Sequence, residues 1–91
     1  MGHMAVVISG KVTDLTGNGL ADIEVHASNL GEGSDGNTTT GENGSYQITN
    51  LNAGKYELHV SSAGKFEPPN YHLNVKQSDN LMGRNFKRIG D

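Results

Sequence analysis

The 91-residue chain has room for one domain with a thin core, and its 33% hydrophobic and 19% charged residues exclude an intrinsically disordered composition. A net charge of −3, with Arg84, Lys87 and Arg88 as the one basic cluster, argues against a nucleic-acid footprint; no run approaches the ~18 apolar residues of a membrane-spanning helix. The absence of cysteine removes disulfide frameworks and thiolate metal sites.

"MGHM" at the start reads as a cloning remnant, so residues 1–4 are set aside and one domain is expected over 5–90. The chain then reads as a piece of a longer protein. From there the pattern has period two. "VVISGKVTD" places Val6, Ile8, Gly10 and Val12 on one face and Val7, Ser9, Lys11 and Thr13 on the other. "DLTGNGLAD" comes next as a turn. "DIEVHASNL" alternates Ile23, Val25 and Ala27 against Glu24, His26 and Ser28. Gly31 to Asn37 is a polar loop, and "NTTTG" is a weaker, Thr-rich strand. "SYQIT" carries Tyr46 and Ile48. "KYELHVS" alternates Tyr56, Leu58 and Val60 against Glu57 and His59. Pro68-Pro69 in "GKFEPPNY" favours an extended, unpaired connection. "YHLNVK" presents Tyr71, Leu73 and Val75, and "GRNFKRI" ends the chain with Phe86 as core anchor. Asn18-Gly19 and Asn43-Gly44 supply turn residues that tolerate positive φ. About seven short strands and no amphipathic helix predict an all-β sandwich or small barrel.

Taken together, Ile8, Gly10, Val12-Thr13-Asp14, Gly17, Gly19-Leu20-Ala21, Ile23 and Val25 precede the most specific run, "TTGENGSYQITNLNAGKYELHV". With Gly64-Lys65-Phe66, Pro69 and Asn85-Phe86, this order of motifs resembles the carboxypeptidase regulatory-like domains. The resemblance implies an Ig-like, transthyretin-like (prealbumin-like) β-sandwich of about seven strands. Gly44 and Gly54 then serve turns, and Tyr46, Ile48, Leu51, Tyr56 and Leu58 fill the space between sheets. It also implies a non-catalytic, monomeric module of a secreted or cell-surface protein, spacing or docking neighbouring domains and needing no cofactor. The alternative is an accessory module that binds polysaccharide or a partner protein.

The sequence offers five candidate sites. Asp14, Thr16 and Asn18 space their oxygens like a calcium loop. The twelfth position counted from Asp14 is Val25, where an EF-hand needs a bidentate Glu. That leaves Asp14, Asn18 and Asp22 as a weak calcium candidate on a loop joining two strands. Asn-Gly read locally predicts a hairpin, whereas the resemblance places these two strands in different sheets. His26, His59 and His72 lie opposite inward residues on strands that the resemblance makes neighbours, so three solvent-facing imidazoles form a weak zinc or copper candidate. Phe66 and Tyr71 flank Pro68-Pro69 and are the candidate sugar contacts, as an exposed aromatic pair. Some related repeats cross-link a first-strand Lys to a last-strand Asn beside a buried acid. The equivalent positions are Val12 for the Lys and Val60 for the acid, while alternation turns Lys11 and Asn85 outward, so no cross-link is expected. A related enzyme branch ends in a Tyr-Arg-Gly-Ser tail, but this chain ends "FKRIGD", and no catalytic residue is assigned.

Overall fold

A computed structural model describes residues 6–31, 33, 35–62, 64–77 and 79–90; residues 1–4, read above as a cloning remnant, lie outside the described residues. Among these residues nine strands occur in the order β1 (Val6–Thr13), β2 (Glu24–Asn29), β3 (Gly36–Thr39), β4 (Ser45–Leu51), β5 (Gly54–Val60), β6 (Lys65–Glu67), β7 (Tyr71–Val75), β8 (Asn80–Leu81) and β9 (Phe86–Gly90). One sheet runs β4-β1-β9-β6, with β8 also paired to β1, and the other runs β3-β2-β5-β7.

The alternation is the reason for the two layers. Val6, Ile8 and Val12 of β1 are buried while Lys11 between them is exposed. Val25, Ala27, Tyr56, Leu58, Leu73 and Val75 supply the opposing layer, and Tyr46, Ile48, Leu51 and Phe86 complete the core. Residues of one parity cannot meet water once the sheets close, which fixes strand register, because a one-residue slip would expose the whole set.

All seven expected strands are present, and two more were hidden. Segments of three and two residues, β6 and β8, show no readable alternation. The expectation of an unpaired connection through "GKFEPPNY" needs correction. Lys65 to Glu67 pairs with β9, and the ladder stops only where Pro68 and Pro69 remove their N–H donors. β4 also runs on through Leu51, beyond the expected "SYQIT".

The segment from Thr13 to Leu20 turns back on itself. Leu20 donates its N–H to the Val12 carbonyl at 2.9 Å, and Thr13 bridges Gly19. The chain then crosses to the other sheet and enters β2. The local hairpin signal and the two-sheet topology are therefore both satisfied, one after the other. Positive φ falls on Gly17 (92°) and Asp22 (61°) rather than on Asn18 or Gly19. Gly19 is needed for a different reason: a Cβ there would collide with the Asn43 carbonyl of the neighbouring turn.

The end of the chain retraces β1. Asn80 and Leu81 lie parallel beside Val7 and Ile8, and Phe86 and Lys87 lie parallel beside Val12 and Thr13. Between them Arg84 donates its N–H to the Ser9 carbonyl at 3.0 Å. The Asn85 side chain stands in for a backbone acceptor, taking the Lys11 N–H at 2.9 Å. From Phe86 the last strand continues past the end of β1 in the same direction.

Candidate functional site

The Asp14 loop closes on itself. Asp14 Oδ1 accepts the Thr16 N–H at 2.9 Å, the Thr16 hydroxyl at 2.8 Å and the Asn18 N–H at 3.0 Å. The Thr16 hydroxyl, the largest cause, and the Asn18 amide hold the Asp14 carboxyl below the ordinary carboxylate value. The Asn18 side-chain amide donates to Thr16 Oγ1 at 3.0 Å. Asp22 joins a different set, donating its N–H to the Thr40 carbonyl at 3.1 Å. Asp14 and Asn18 thus meet through a turn network and Asp22 is tied elsewhere. Asp14, Thr16 and Asn18, whose oxygens alternate in sequence, are tied to one another within the turn, and the Asp22 backbone is tied to Thr40.

The three histidines do share the outer face of the β3-β2-β5-β7 sheet, though not as three equivalent solvent-facing rings. His26 and His59 are direct cross-strand partners, their rings stacked with centroids 5.7 Å apart and an interplanar angle of 29°. His72 stands opposite Glu57, with His72 Nε2 3.8 Å from Glu57 Oε2. His26 Nε2 lies 3.4 Å from Glu24 Oε1, without hydrogen-bond geometry. His26 Nε2 and His59 Nδ1 are shut off from solvent and have no hydrogen-bond partner. This corrects the expectation that all three rings simply face water. Stacking covers the inner ring atoms, and period-two alternation cannot register that. Among the described residues no three His, Asp or Glu side chains already stand where they would together hold a metal ion.

Phe66 and Tyr71 belong to different sheets, since β6 pairs with β9 and β7 pairs with β5. Tyr71 packs edge-on against Phe86 with centroids 5.3 Å apart, and its hydroxyl donates to the Asn85 carbonyl at 2.7 Å. The Arg84 guanidinium lies 5.9 Å from the Tyr71 ring centroid. The exposed pair flanking Pro68-Pro69 therefore does not form, because Tyr71 is half-buried in the seam between sheets. Phe66 instead lines a shallow recess of about 460 Å³ with Val60, Pro69 and Ile89.

Lys11 and Asn85 are both exposed, as alternation requires. Their link is the backbone-to-side-chain hydrogen bond described above, while Val12 is fully buried in the core. Sequence reasoning missed the partners of the Arg84–Asn85 turn. Tyr46 of β4 donates its hydroxyl to the Arg84 carbonyl, and Tyr71 of β7 does the same to Asn85. The phenols are visible in the sequence as core residues; the turn that they clasp carries no periodic signal.

Residues 7–85 match the family model described as the carboxypeptidase regulatory-like domain. A search of curated proteins returns no match.

Proposed function

The chain belongs to the carboxypeptidase regulatory-like domain family, generally non-catalytic modules of larger proteins, and from that premise we propose that it spaces and docks neighbouring domains of a secreted or cell-surface protein. The observation that carries this reading is the stagger of the first and last strands. β1 and β9 run parallel and pair at Val12–Thr13 and Phe86–Lys87, the end of one strand against the start of the other. Val6 and Gly90 consequently lie at opposite ends of the sandwich, about 30 Å apart at ~3.3 Å per residue. The longest dimension of the molecule is 43 Å. A chain that enters at one end and leaves at the other holds its two neighbours apart.

Each end also offers an apolar contact. Leu30, after β2, is 57% exposed at the Val6 end, and Leu15, after β1, is 65% exposed at the Gly90 end. Single exposed leucines on end loops fit small interdomain contacts.

The test uses the module with its flanking sequence attached on both sides and spin labels in the flanks. A narrow distance distribution that holds the labels apart supports spacing; a broad distribution reaching short separations overturns it. Leu15→Asp or Leu30→Asp should leave the isolated module's melting temperature unchanged and abolish any stabilisation contributed by the neighbour.

A ligand-binding reading rests on the Phe66 recess, where an aromatic face beside Pro69 and Ile89 suits a sugar ring. Glycan-array binding lost on Phe66→Ala would favour it, and an array without signal would remove it.

A further inference from the structure

We propose that Asn18 is a site of spontaneous covalent modification, in which the backbone nitrogen of Gly19 converts its side-chain amide, through a succinimide, to aspartate and isoaspartate. The sequence holds two Asn-Gly steps, Asn18-Gly19 and Asn43-Gly44, and in both the glycine has no side chain to obstruct its nitrogen. That nitrogen must be free to approach the asparagine Cγ. Only the fold separates the two steps.

Gly19 meets the requirement. The bridge between Thr13 and Gly19 is carried by its flanks, from the Asp14 N–H to the Asn18 carbonyl and from the Leu20 N–H to the Val12 carbonyl, each at 2.9 Å. Thr13 and Gly19 are therefore a non-hydrogen-bonded pair, and their own N–H groups point away from the partner strand. Among the described residues no acceptor takes the Gly19 N–H. Asn18 itself is exposed, with Nδ2 donating to Thr16 Oγ1 at 3.0 Å. Asn43 is locked by contrast. The Gly44 N–H donates to the Gly41 carbonyl at 2.9 Å, and Asn43 Oδ1 accepts the Ser45 N–H at 3.1 Å. Gly44 is also buried, packed against the Val12 carbonyl and the Gly19 backbone.

In the reaction the Gly19 nitrogen bonds to Asn18 Cγ as the Cγ–Nδ2 bond breaks, and the Gly19 amide proton leaves with Nδ2 as ammonia. Water then opens the ring. Cleavage at Cγ gives aspartate; cleavage at the backbone carbonyl gives isoaspartate, with Gly19 joined through Cγ. Exchange of ammonia for water adds ~1 mass unit and one negative charge. Either product sets a carboxylate beside Asp14, whose Oδ1 already takes the Thr16 hydroxyl and the Asn18 N–H. Isoaspartate also lengthens the main chain by one atom and moves the carbonyl that holds the Asp14 N–H off it. The loop that presents Leu15 thus changes shape and charge with age.

The experiment incubates the 91-residue protein for several weeks in mildly alkaline buffer, where the Gly19 amide loses its proton more readily, both folded and in urea. Peptide mapping that separates asparagine, aspartate and isoaspartate follows positions 18 and 43. In urea the two positions should convert at similar rates. In the folded protein Asn18 should convert at least about tenfold faster than Asn43. Asn18→Gln should remove the acidic form that accumulates first. Folded protein in which Asn43 converts as fast as Asn18, or in which Asn18 stays intact while both positions convert in urea, would overturn the proposal. An acidic form that accumulates unchanged in Asn18→Gln would do so equally.

Discussion

Tyr46 and Tyr71 rise from different sheets and donate their hydroxyls to consecutive carbonyls, Arg84 and Asn85. The turn between them has no strand pairing of its own. It rests against β1 through the Arg84 N–H on Ser9 and the Asn85 side chain on Lys11. The two phenols therefore clamp the segment that delivers β9 to its place beside β1, and with it the direction in which the chain leaves the sandwich.

Removing each hydroxyl separates their roles. Tyr46 is buried, so Tyr46→Phe leaves the Arg84 carbonyl without its partner and should cost about 1–3 kcal/mol; Tyr71→Phe, at a wetter site, should cost about 0.5–1.5 kcal/mol. Burial, the largest cause, and the neighbouring Tyr71 push the Tyr46 phenol far above its ordinary value near 10. A folded-state value raised in this way leaves stability intact below pH ~10 and lowers it as pH rises further. Denaturant unfolding between pH 8 and 11 should show this alkaline loss in the natural sequence and a smaller one in Tyr46→Phe.

Gly10 lies under the same turn. A Cβ at this position would run into the Arg84 carbonyl and reach the Tyr46 ring. Gly10→Ala should destabilise by about 1–3 kcal/mol through overpacking. The unfolding midpoint should fall with little change in slope, and the Arg84 amide should exchange faster as its bond to Ser9 loosens.

Thr40 performs the corresponding task at the crossing into β2. Its buried hydroxyl donates to the Leu20 carbonyl at 2.5 Å and accepts the Ile23 N–H at 2.9 Å. Thr40→Val keeps the shape and strips both partners, for an expected loss of about 1–3 kcal/mol. Thr40→Ser retains the hydroxyl and should lose only about 0.8 kcal/mol for its missing methyl group. Thermal unfolding of the pair should show this order.

Asp14 serves its own loop. Because its folded-state value is depressed, its contribution is present above the ordinary carboxylate value near 3.9 and disappears as pH falls through the folded one. Asp14→Asn should therefore be less stable than the natural sequence at neutral pH and match it in strong acid. Millimolar calcium should leave the amide signals of residues 14–22 unmoved, since turn N–H groups already occupy Asp14 Oδ1.

Much of this protein comes from period two alone. Val12, Tyr56 and Leu58 must share an interior because their neighbours are polar, and that parity determines the sandwich, its inner faces and its anchor at Phe86. The exposed sides of Lys11 and Asn85 arise in the same way. Parity excludes one-residue slips but does not choose which residues of distant strands stand opposite each other, and it says nothing about segments too short to alternate. Only the tertiary structure decides that β6 and β8 pair, that Tyr71 turns to Phe86 rather than to Phe66, and that His26 meets His59 while His72 meets Glu57. Those relationships join residues far apart along the chain. They are settled by how two twisted sheets close over one core, which no local stretch encodes.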